Sequence, residues 1–211
     1  MIKALIDWFD LRLGVREFYN KHVSYPLPED LTVWHLFGGL TIGVIAIQFI
    51  TGFYMLWYYI PEPDLAHQSI RDMCNETSLG ALFRNAHRWS CTLGILFVSI
   101  HMFHVMARKA YKPPRELNWW TGLMLGILYL LLLITGIIMP WDWRSYWELV
   151  IWADWLSTIP YIGDSLKGPM LGMFTIGRNF AVHIMLLPAL IIGVLLLHLI
   201  LFRRLGPTNR V

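Results

Sequence analysis

The chain has 211 residues, 56% of them hydrophobic and only 15% charged, so a water-soluble domain would have too little polar surface to cover itself. The formal net charge of +3 is modest, its placement says more than its size, and no nucleic-acid partner is expected. Cys74 and Cys91 are too few for a disulfide framework, and neither lies in the C-x-x-C-H pattern that attaches a haem covalently.

In chain order, residues 1–32 come first as a lead-in. Ile2, Leu5, Ile6, Phe9 and Leu13 recur there at helical spacing beside charged residues, which predicts an amphipathic helix on a membrane surface. Lys3, Asp7, Asp10, Arg12, Arg16, Lys21, Glu29 and Asp30 interrupt this stretch, so no removed signal peptide is expected. Residues 33–211 then carry four predicted transmembrane helices, at about 33–59, 86–107 (free of Asp, Glu, Lys and Arg from 89), 117–139 and 179–202. Each is long enough to cross ~30 Å of hydrocarbon. Continuous Leu/Ile-rich runs lack the alternation of barrel strands, so the expectation is an all-α, integral membrane four-helix bundle.

Orientation follows from the basic residues. The N-terminal segment, the second-to-third connection and the tail hold 11 Lys and Arg, including Arg108, Lys109, Lys112, Arg115, Arg203 and Arg204, against 5 in the other two connections. Those two instead carry Glu62, Asp64, Asp72, Glu76, Asp142, Glu148, Asp154 and Asp164. Both termini are therefore expected on the negative, cytoplasmic side. The connection between the third and fourth spans holds Trp141, Trp143, Trp147, Trp152 and Trp155, which suits short helices capping the positive side where a lipid-soluble molecule enters.

Four of the eight histidines fall in the spans in a pattern. His87 and His101 are fourteen residues apart on the second span, and His183 and His198 fifteen apart on the fourth, which runs the same way. His87 is thus expected opposite His183, and His101 opposite His198. Fourteen residues of helix separate the two levels by about 21 Å and return the second ring to within about 40° of the first. Two neutral imidazoles are a common axial set for a low-spin b haem, and four at matched depths predict two haem irons held by His87, His183, His101 and His198. His104 is a rival to His101, but it lies about 100° away from the direction of His87.

Gly38 and Gly52 on the first span, and Gly122 and Gly136 on the third, repeat the fourteen-residue interval. Glycine there would let a porphyrin edge approach the backbone, although small-residue helix packing uses the same residue. Haem propionates need cations, for which Arg84, Arg88 and Arg178 on the positive side and Arg203 with Arg204 on the other are candidates, beside a topological role for the same charges.

Several separated motifs carry a family resemblance. Gly80-x-x-x-Arg84-x-x-His87-Arg88-Trp89-Ser90, the run from Lys112 to Trp119, Pro140-Trp141-Asp142 and Ile159-Pro160-Tyr161-Ile162-Gly163 together resemble the cytochrome b family, and the chain's length resembles its short split form, cytochrome b6. The resemblance implies a subunit of a bc-type quinol:cytochrome c or quinol:plastocyanin oxidoreductase in which quinol oxidation is coupled to proton translocation. The implied partners are a Rieske iron-sulfur protein, a c-type cytochrome and a subunit-IV-like three-helix chain that completes the quinol site, in a dimeric complex. The implied setting is a bacterial cytoplasmic or thylakoid-type membrane. The cofactors are two non-covalent b haems, with quinone as substrate. Leu36 stands where the b6 type has the cysteine that anchors an additional haem, and Ser145 and His104 stand where the family commonly has Gly and Arg.

Two other classes fit the residues less fully. A dihaem membrane anchor of a quinone-linked dehydrogenase or hydrogenase also uses intramembrane His pairs, but does not need the long Trp-rich connection. A transporter or scaffold would use the histidines for packing or proton relay.

Overall fold

The computed structural model describes residues 2–14, 16–17, 20, 32–173 and 175–206. The chain divides into two units, Met1–Thr32 and Val33–Val211. In the first unit, α1 (Ile2–Leu13) closes on Gly14, whose φ of +59° lets its N–H reach the Asp10 carbonyl at 2.8 Å. Leu5, Trp8 and Leu11 are exposed along it, and Arg12 lies 4.0 Å over the Trp8 ring.

The second unit is helical throughout its described elements. A 3-10 turn (Val33–His35) leads into α2 (Leu36–Leu56), followed by α3 (Ala66–Glu76), α4 (Gly80–Ala107), α5 (Glu116–Ile138), α6 (Trp143–Ser157), α7 (Gly163–Met173) and α8 (Ile176–Ala181). A π-turn (Val182–Leu186) joins α8 to α9 (Leu187–Leu205). Four stretches, 33–56, 80–107, 116–138 and 176–205, are long and apolar enough to cross a membrane. The second begins at Gly80, two turns before the charge-free run, because Arg84 and Arg88 interrupt the apolar composition but not the helix. The short α3, which buries Ala66, Ser69 and Met73, was not expected from the sequence.

The spans pack chiefly in pairs, α2 along α4 and α5 along α9, whereas α4 and α9 hardly approach each other. Halfway between the histidine levels the bundle is closed by Val44, Gly94, Tyr129 and Ile191. A Cβ on Gly94 would lie 1.9 Å from Tyr129 Oη, so only glycine lets that ring cross the bundle there. Leu128, Leu187 and Ile191 extend this apolar layer between α5 and α9.

The connections are tied by specific hydrogen bonds. Arg115 donates to the carbonyls of Leu205 (2.9 Å) and Gly206 (2.8 Å), fastening the end of α9 to the start of α5 and explaining one residue of the Lys112–Trp119 motif. Partial burial lowers the Arg115 pKa from its ordinary value. Tyr59 donates to the Met139 carbonyl at 2.7 Å and stacks on Phe180, joining the ends of three spans. In the Trp-rich connection Asp142 caps α6 and accepts from both the N–H and the hydroxyl of Ser145, each at 2.8 Å. Burial alone would raise the Asp142 pKa, but these two bonds, together with the neighbouring His67 and the residue's own backbone N–H, outweigh it and hold the carboxyl below the usual range. Ser145 therefore closes the cap with its side chain.

Candidate functional site

The four span histidines each meet one glycine of a neighbouring helix. A Cβ placed on Gly52 would stand 3.3 Å from His87 Cε1, on Gly38 3.1 Å from His101 Cε1, on Gly136 3.0 Å from His183 Cε1, and on Gly122 3.2 Å from His198 Cε1. The same ring atom is nearest in every case. The glycines thus admit the imidazoles themselves close to the backbone of α2 and α5, a more specific role than a patch for a porphyrin edge.

These contacts sort into two levels. His87 with Gly52 belongs to the α2–α4 pair, and His183 with Gly136 to the α5–α9 pair. His101 with Gly38 and His198 with Gly122 make up the other level. Each level thus draws one ring from α4 and one from the fourth span.

The fifteen-residue interval on the fourth span has a structural cause. Fifteen α-helical residues would turn His198 about 60° from His183, on the side opposite to the offset of His87 and His101. The π-turn at Val182–Leu186, in which the Leu187 N–H reaches the Val182 carbonyl, takes up one residue more than an α-turn. Pro188 follows immediately; it has no N–H to give the Ile184 carbonyl, and its ring crowds that carbonyl, so the ladder widens where the proline demands it.

Polar side chains that sequence reasoning missed surround the rings. The hydroxyls of Thr51, Thr135 and Thr121 lie 2.8, 2.9 and 2.9 Å from Nδ1 of His87, His183 and His198. Gln48 Nε2 donates to the His87 carbonyl at 2.6 Å and to Ser90 Oγ at 2.7 Å. Asn179, almost wholly buried, donates to the Thr135 carbonyl at 2.9 Å. The visible signal was the dipeptide Thr-Gly, at 51–52, 121–122 and 135–136.

The arginines are less engaged. Arg84 is half-buried and Arg88 exposed, Arg178 donates to the Gly172 carbonyl at 3.3 Å, and Arg203 is exposed with interactions of its own. His104 packs edge-on against His35, ring centroids 4.6 Å apart, and its Nε2 is buried without a hydrogen-bond partner among the described residues.

A cytochrome b/b6/petB family model matches residues 22–206. The chain belongs to the cytochrome b/b6 family. It is 38% identical over 208 residues to the cytochrome b6 of Heliobacterium modesticaldum, covering 95% of this chain and 98% of that one. It is 35% identical over 205 residues to the cytochrome b6 of Mastigocladus laminosus, covering 95% of each. Among solved structures, a chain of a hyperthermophilic respiratory complex III superposes with a TM-score of 0.87 at 30% identity, covering 97% of this chain. The present chain spans about half of that larger one, 56%. With four apolar spans, this member of the family is a multi-pass membrane protein.

Proposed function

We propose that the chain is the dihaem cytochrome b subunit of a bc-type complex, in which His87 and His183 would hold the iron of one b haem and His101 and His198 that of the other. The observation that carries this reading is the fourfold repetition of imidazole against glycine, at two levels of the bundle. The donor set suits the group: imidazoles are the usual axial ligands of b haems, and the interval between α4 and α9 lies where two such rings would be clasped. When bound, a bis-imidazole b haem supplies reversible one-electron transfer with no open coordination position. The protein's part is to hold four rings in place, to keep the two levels about 21 Å apart by helix rise, and to separate them with Val44, Gly94, Tyr129 and Ile191.

Quinol is the electron donor in this reading, and proton translocation follows from oxidising it on the positive side. A Rieske protein, a c-type cytochrome and a three-helix chain complete a dimeric assembly in a bacterial membrane, with both termini on the negative side. Arg84, Arg88, Arg178 and Arg203 are assigned to the propionates. Leu36 offers no thiol, so no further covalent haem is assigned.

The test is haem content of the purified complex. His87→Ala or His183→Ala is expected to remove one b haem, His101→Ala or His198→Ala the other. Two b haems retained in each variant would end the assignment. Co-purification with a single large dehydrogenase in place of a Rieske protein would favour a dehydrogenase anchor.

A further inference from the structure

The three threonines that reach the histidines share a second bond. Thr51 donates to the Ile47 carbonyl at 2.6 Å, Thr121 to Leu117 at 3.0 Å and Thr135 to Leu131 at 2.8 Å. A carbonyl only accepts, and a hydroxyl has one proton, so the threonine oxygen accepts from the Nδ1–H of its histidine, a proton that in His87 and His198 also meets the backbone carbonyls of Gln48 and Asn118. Each ring is thereby held as the tautomer whose Nε2 keeps a free lone pair, the form a metal ligand requires.

The fourth histidine breaks the pattern. Gly38, matched to His101, is preceded by Phe37, which packs against Phe97 (centroids 5.8 Å apart) and Trp34 (6.0 Å). His101 Nδ1 is buried and has no hydrogen-bond partner among the described residues.

We propose that Thr51, Thr121 and Thr135 are positioning residues that fix the tautomer and electron donation of His87, His198 and His183, and that Phe37, by withholding a fourth hydroxyl, makes the two haem levels electronically unequal. The proposal rests on the ligand assignment above. A ligating imidazole that donates a hydrogen bond is the more basic donor and favours the oxidised iron. The level of His87 and His183 carries two such rings, that of His101 and His198 one. By this contribution the first level is the harder to reduce.

The experiment is a redox titration of the α-band, with electron paramagnetic resonance of the ferric centres, on the intact complex. Thr51→Val or Thr135→Val is expected to move the reduction equilibrium of one centre about three- to tenfold toward the reduced form, where tenfold is 59 mV for one electron. Thr121→Val should move only the other. Thr→Ser, which keeps the hydroxyl, should restore each value, and Phe37→Thr should make the Thr121-linked centre harder to reduce. Haem lost in a Val variant but kept in its Ser partner also supports the hydroxyl's role. Two haems with unshifted potentials in the Val variants, or Ser variants as altered as the Val ones, would overturn the proposal. Failure of the ligand assignment is distinguishable, because it appears in the His→Ala variants as undiminished haem content.

Discussion

Replacing Gly136 by alanine is the sharpest probe of how the rings are seated. The added methyl would lie 3.0 Å from His183 Cε1, whereas ordinary contact begins at 3.4 Å, so the imidazole must retreat by about 0.4 Å. It is not free to do so. The preceding residue, Thr135, holds its Nδ1 at 2.9 Å, and a retreat of that size stretches this bond toward 3.3 Å, beyond the usual range for N–H···O. Overpacking of this kind costs about 1–3 kcal/mol, which under the proposed ligand assignment is roughly a 5- to 150-fold loss of haem affinity at that level. Gly52→Ala, starting from 3.3 Å, asks for only about 0.1 Å and should be close to silent. Pyridine haemochrome content and a redox titration of the α-band read both effects. The reasoning fails if Gly136→Ala retains two haems with unaltered potentials, or if Gly52→Ala is the more damaging of the two.

Other consequences follow from the connections. Asp142→Ala removes the cap of α6 and should cost about 1 kcal/mol, read as a lower melting temperature of the detergent-solubilised complex. Because the Asp142 pKa is lowered in the fold, its contribution is fully present above the ordinary carboxylate range and is lost as pH falls through the depressed value; the difference between wild type and Asp142→Ala should shrink on acidification below about pH 4. Arg115→Ala abandons two carbonyls at the end of α9 and should speed hydrogen exchange and proteolysis around 203–206, with a local loss of about 1.5–3 kcal/mol. Deleting Ile184 together with Pro188→Ala should turn the π-turn into plain α-helix and keep both haems. A one-residue deletion at Leu96, within unbroken α4, turns His87 by about a further 100°, to about 140° from His101, and should empty one level.

Much of this arrangement was legible in the sequence because membranes leave few options. The lack of charge over twenty residues is a direct report of hydrocarbon, and the spans follow from it. The fourteen-residue recurrence of His87 and His101, and of the glycine pairs, is legible because helical phase nearly closes over that interval. What was not legible depends on two helices at once. Thr51 looks like any small polar residue until α2 is packed on α4 and its hydroxyl meets His87. The true start of α4 was hidden because Arg84 and Arg88 mark where the apolar stretch begins, not where the helix does. The π-turn is a conflict between Pro188 and the backbone ladder, which composition does not weigh. The arginines were singled out for charge alone, and their placement reflects position along the helices more than any shared geometry.

The widened turn at 182–186 has a consequence for how this molecule tolerates change. A span with one surplus residue can face its neighbours correctly provided the surplus is absorbed locally, so the number of residues between two ring-bearing positions and the direction those rings point are uncoupled on the fourth helix and locked together on the second. Length variation is therefore survivable on one wall of the bundle and damaging on the other.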